Sequence, residues 1–112
     1  MSTPEPEYPT HSVAGVQQVL AALADPVRLE MVRRLAGTGE PMPCSHLYDD
    51  ISKSTASHHF KTLREAGLTE RSMQAGQSCQ RLRLDEVDAA LPGVLSAVRG
   101  AIRDTDGVTA PR

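Results

Sequence analysis

Residues 51–68, ISKSTASHHFKTLREAGL, decide the fold. Read as a helix from about Ser54, the stretch places Ala56, Phe60 and Leu63 at the i, i+4, i+7 spacing of a buried stripe, and Ser54, Ser57, His58 and Lys61 on the opposite face. Ser52 and Ser54 both suit an N-cap, and Gly67 follows the last apolar turn, where a left-handed residue is wanted. The outward face has nothing apolar to bury against a protein. It carries small hydrogen-bonding groups, an imidazole and a cation, which are groups that reach base edges and phosphates in a major groove. Lys53, Ser54 and Thr55 sit at the N-terminal turn, where free N–H groups and the positive end of the dipole favour a phosphate. Alone, such a stretch is equally a solvated surface helix, and the neighbouring segments decide for a DNA recognition helix.

On the N-terminal side, the spacing of Pro41 and Pro43 predicts a short extended piece ending at Cys44. Ser45 then caps a brief helix with Leu47 and Tyr48 inward, and Ile51 begins the turn into the recognition helix, which makes a helix-turn-helix. Earlier, Asp25 and Pro26 start a helix that turns Val27, Met31, Val32 and Leu35 inward and ends at Gly37 and Gly39. Val13, Val16, Leu20 and Leu23 predict a first helix running to about Ala24. On the C-terminal side, residues 68–73 and 79–84 read as two strands about the turn QAGQS, with Leu82 and Leu84 inside and Arg81 and Arg83 outside: a wing. Asp85 caps the short helix DEVDAAL, and Pro92 opens a last helix whose stripe is Leu91, Val94, Leu95, Val98 and Ile102.

The expected fold is mainly α with a small β-hairpin, a winged helix-turn-helix. The apolar stripes of the first and last helices exceed what so small a core needs, so these helices are expected to pair in a homodimer. Residues 1–12, with three prolines and two glutamates, are expected to be a disordered tail, residues 13–103 the domain, and residues 104–112 a second disordered tail.

The totals agree. A chain of 112 residues makes one domain, and with only Tyr8, Tyr48 and Phe60 as aromatics its core must be aliphatic. No run is long enough to span a membrane and the N-terminus has no apolar leader, so the expected location is cytoplasmic, on the nucleoid. Two cysteines are too few for a disulfide framework. The net charge of −2 hides an uneven spread: residues 51–84 carry six cations and two anions, a local balance of +4.

In the segments LADPVRLEMVRRL (23–35), STASHHFKTLREAGL (54–68) and LDEVDAALPGVLSAV (84–98) the chain resembles the ArsR/SmtB family of bacterial winged-helix repressors, over roughly residues 19–98. The resemblance implies a homodimer that binds operator DNA with inverted half-sites and releases it when an inducer, often a metal ion, binds. It also implies DNA contacts from Ser54, Thr55, Ser57, His58 and Lys61, with the wing near Gln77 and Arg81 against the backbone. His59 is expected to pack. The family commonly has Leu-Gly in the turn where this chain has Asp49 and Asp50, a pair whose left-handed tolerance lets the turn survive. Its Cys-x-Cys metal site is absent, because Pro43 and Ser45 flank Cys44, and the last helix lacks the carboxylates and imidazoles of its other site.

Three readings of the cysteines stand side by side. Both are structural; or Cys44, at a helix start and with Cys79 on the neighbouring strand, is a reactive thiol that serves as a redox or electrophile switch; or Cys44 and His46, joined by His11, hold nickel or zinc. An enzyme is not expected: Ser57 and His58 are adjacent on a helix and point about 100° apart, too far to act as nucleophile and base. The chief reading is a sequence-specific DNA-binding repressor released by a metal, thiol oxidation or a small ligand. The alternative is a winged-helix interaction module that regulates transcription only with a second regulatory protein.

Overall fold

Asp25 sets the entry to the helical core. Its carboxylate accepts from the backbone N–H of Val27 (2.8 Å) and Arg28 (3.2 Å), and Pro26 supplies a preset φ at the first helical position. The computed structural model describes residues 10–105, with side chains to residue 101. In order it forms α1 (Val16–Leu23), α2 (Pro26–Thr38), β1 (Met42–Pro43), a 3-10 turn (Cys44–His46), α3 (Lys53–Glu65), β2 (Thr69–Gln74), β3 (Gln77–Leu82), α4 (Leu84–Ala90) and α5 (Val94–Thr105). The expected tails fall largely on residues 1–9 and 106–112, outside the described residues.

The core is aliphatic. Val19, Met31, Val32, Leu35, Leu47, Leu63, Leu68, Val87 and Leu95 are fully enclosed, and Phe60 meets Tyr48 edge to face at 6.2 Å. Arg34 ties the helix-turn-helix to α2, donating to Glu30, to the His46 carbonyl and to Asp49 Oδ2 at 2.6 Å. Asp50 takes a left-handed φ of 41°, so the Asp-Asp turn holds in the way the residue type allows.

The sheet is antiparallel in the order β1-β3-β2, with Met42 opposite Gln80 and the hairpin running from Thr69 opposite Leu82 to Gln74 opposite Gln77. Ala75 and Gly76, both at positive φ, form a two-residue turn, so the strands reach further toward the tip than the expected five-residue loop.

Five local expectations change. Val13 and Ala14 are not helical; the chain crosses the end of α3, where Ala14 N–H donates to the Ala66 carbonyl at 2.9 Å, and α1 begins only after Gly15. The brief helix after β1 is a single 3-10 turn preceded by Pro43, and Ser45 does not cap it. Asp85 lies inside the first turn of α4, whose cap position is Arg83, and α5 starts at Val94, after Pro92 and Gly93. Arg83, expected outside, is buried, because strand alternation stops at Leu82 and the chain turns into α4. Its guanidinium donates to the carbonyls of His11 (2.6 Å) and Gly67 (2.9 Å), which clamps the N-terminal segment over the end of α3.

Candidate nucleic-acid interface

Helix α3 is anchored on one side only. Ala56, Phe60 and Leu63 are buried, whereas Ser54, Thr55, Ser57, His58 and Lys61 are exposed along the opposite face. Of the two candidate caps the structure uses Ser52: its Oγ accepts from Thr55 N–H and donates to Thr55 Oγ1, both at 3.0 Å. The Thr55 hydroxyl keeps its own hydrogen to donate, and Lys53 and Ser54 stand in the open first turn. Lys61 has only a loose pair with Glu65, 3.9 Å apart and mostly exposed, which leaves its ammonium available to a phosphate. His59 is half-buried, and its Nδ1 lies 3.0 Å from Arg28 Nη1.

The wing departs from expectation in its charge. Gln77 is exposed beside the tip. Arg81, expected against a DNA backbone, is instead held at the base of the hairpin by Glu70 (2.7 Å) and Glu86 (2.9 Å). The hydrogen bond that Arg81 donates to Glu70 outweighs the effect of burial and raises the Arg81 pKa further. Glu70 is the cross-strand partner of Arg81, so the pairing follows from strand register. Arg81 is paired with carboxylates and Arg83 is buried, whereas Lys53 and Lys61 are exposed and Arg64 and Arg71 are half-buried. The roles of Arg64 and Arg71 are not visible from residue spacing alone; only the packing of α3 against the hairpin brings them together with Lys53, on the rim of a cleft of about 320 Å³.

The thiol and metal expectations fare differently. The Cys44 sulfur lies 3.4 Å from Ser78 Oγ and 4.0 Å from Gln80 Nε2, beside the even-numbered residues of β3. Cys79, buried and opposite Pro43, belongs to the other face of that strand, so the two thiols are not placed to form a disulfide. His11 lies at the Arg83 clamp, whereas Cys44 and His46 lie beside β1. Among the described residues no group of three or more His, Cys, Asp or Glu is placed to hold a metal ion, so nickel or zinc on Cys44, His46 and His11 is not supported.

No helix among the described residues is long and apolar enough to cross a membrane. Residues 23–72 match the helix-turn-helix domain family. The chain is 40% identical over 83 residues to the uncharacterized HTH-type transcriptional regulator YceK of Bacillus subtilis strain 168, an alignment spanning 72% of this chain and 83% of that protein. In structure it is similar to the transcriptional repressor BigR from Xylella fastidiosa, at a TM-score of 0.62 and 27% identity over 84% of this chain and 88% of the other. It also shares the fold of the homodimeric winged helix-turn-helix DNA-binding domain of Mb0332 from Mycobacterium bovis, a possible ArsR-family regulator, with a TM-score of 0.60, 22% identity and coverage of 85% and 87%. An anchored helix with a polar outer face, a wing beside it and this kinship agree: the chain belongs to the HTH-type transcriptional regulators, with a winged helix-turn-helix fold.

Proposed function

We propose that the protein is a homodimeric repressor that reads a pseudo-palindromic operator with Ser54, Thr55, Ser57, His58 and Lys61 of α3, with Lys53 and Gln77 on the flanking phosphates. The observation that carries this reading is the outer face of α3: exposed along its length, free of apolar groups and fixed from behind by Ala56, Phe60 and Leu63. Fixing the helix matters because base contacts require side chains held in register with the groove. Dimerisation is supported by Val16 and Leu20, 43% and 49% exposed on α1, and by the homodimeric state of the Mycobacterium bovis relative. Two-fold symmetry then sets the recognition helices about 34–36 Å apart, one turn of DNA.

The test is fluorescence anisotropy of the purified protein on DNA from its own upstream region, over a range of salt. Lys61→Ala is expected to weaken operator and random duplex alike and to reduce the salt slope by about one. Ser57→Ala and His58→Ala are expected to lose about 1–3 kcal/mol on the operator and to relax base preference. Equal losses on both duplexes for all three would show that the reading face is misplaced. Salt-independent binding that needs a second protein would favour the interaction-module reading.

A further inference from the structure

The cleft between α3 and the wing encloses about 320 Å³, within the range of small-molecule sites. Lys53 and Arg64 border it from α3 and Arg71 from β2, and among the described residues no carboxylate lines it. Arg71 is the register partner of Gln80 on β3, so a cation and a side-chain amide stand on adjacent strands of the same wall. Gln80 is 1% exposed, and its Oε1 has no hydrogen-bond partner among the described residues. The wall therefore offers positive charge and also a carbonyl oxygen in need of a donor, a combination that discriminates between anions. A DNA phosphodiester offers acceptors only and would leave the Gln80 oxygen unpartnered.

We propose that this cleft binds a small organic anion that carries hydroxyl or amine hydrogens beside its carboxylate or phosphate, and that occupation of the cleft excludes operator DNA. The anionic group lies among Lys53, Arg64 and Arg71, and a neighbouring hydroxyl or amine donates to Gln80. Lys53 and Ser57 border the cleft and also belong to the DNA-facing set, so ligand and DNA compete for the same groups. This second half rests on the DNA-face reading above.

The test begins without DNA. The purified full chain is titrated with a panel of phosphate monoesters and hydroxy acids of three to six carbons, with sulfate and glycerol as controls, while NMR follows the Gln80 side-chain amide and the backbone amides of Ser57 and Arg71. At least one panel member is expected to bind about tenfold or more tightly than sulfate or glycerol. Arg71→Gln and Gln80→Met should each weaken it by about tenfold, the scale of one charge-assisted or buried hydrogen bond. Arg99→Gln removes the same charge from α5, outside the cleft, and should leave it unchanged. Should Gln80→Met fail to fold, Arg71→Gln on the edge strand carries the test.

A panel that binds no better than sulfate, or an equal loss in Arg99→Gln, overturns the site. An anion that binds in this way yet leaves operator affinity unchanged overturns the competition. Failure to bind operator even without the anion indicts the DNA-face reading instead, and the anion titration stands apart from it.

Discussion

Gly67→Ala should be the most damaging glycine-to-alanine change among the described residues, through backbone geometry and not through loss of any side chain. Gly67 has φ +79°, and a Cβ built there would lie 2.5 Å from both the Ser12 carbonyl oxygen and Val13 Cα, and 2.8 Å from the Ser12 carbonyl carbon. A left-handed alanine alone costs about 1–2 kcal/mol. The contacts are with backbone, so relief requires lifting residues 12–13 away from α3. That movement removes the 2.6 Å bond from Arg83 to the His11 carbonyl, a charge-assisted bond of about 1.5–3 kcal/mol, and the Ala14–Ala66 bond, about 0.5–1.5 kcal/mol. The expected loss is about 3–6 kcal/mol, a large part of the stability of a domain this size. Gly39 provides the control: its φ is +68°, and an added Cβ meets nothing within 4 Å. Gly39→Ala should therefore cost only the conformational part, about 1–2 kcal/mol. Urea denaturation of both variants measures the difference. Equal losses would refute the argument, because they would mean that the N-terminal segment does not press on Gly67 in solution.

Three further outcomes are expected. Arg81→Ala should lower stability by about 1–2 kcal/mol in urea melts, since Glu70 and Glu86 lose a half-buried partner, while operator affinity stays within about twofold; a tenfold loss of affinity would return Arg81 to the DNA contacts. Glu30 is held down to about 2, first by its hydrogen bond from Arg33, then against burial by that from Arg34. Its folded pKa is depressed, so its contribution is complete above about 4.5 and fades as pH falls toward 2; the stability gap between wild type and Glu30→Gln should close over that window, and a gap constant from pH 6 to pH 2 would contradict it. Val16→Lys with Leu20→Lys should leave the far-ultraviolet circular dichroism intact and convert dimer to monomer in sedimentation equilibrium; a persistent dimer would place the interface elsewhere.

Helix α3 is legible because its signals are local. Caps, a 3.6-residue period and a glycine past the last turn all lie within one short stretch, and the helix interior buries the stripe that the period marks. The same holds for Asp25-Pro26 at the start of α2 and for the Asp50 turn. The wing misled where alternation was carried beyond its domain. Arg83 has already left the sheet, whereas Arg81 keeps its place in the strand and meets Glu70 across the hairpin. The placement of the two thiols is illegible for a related reason: adjacency of strands says nothing about which face each sulfur occupies, and one residue of register reverses it.

The amino-acid sequence by itself determined the order of the elements, the buried and open faces of α3 and the aliphatic character of the core, since each depends on residues a few positions apart along the chain. The tertiary structure alone decided that Arg81 is paired with Glu70 and Glu86, how Arg83 clamps residues 11–14 to the end of α3, and that Lys53, Arg64, Arg71 and Gln80 line one cleft. These are contacts between residues up to 72 positions apart. They exist only after the helices and hairpin have packed, because a guanidinium is free or spent according to which carboxylate or carbonyl the fold brings beside it.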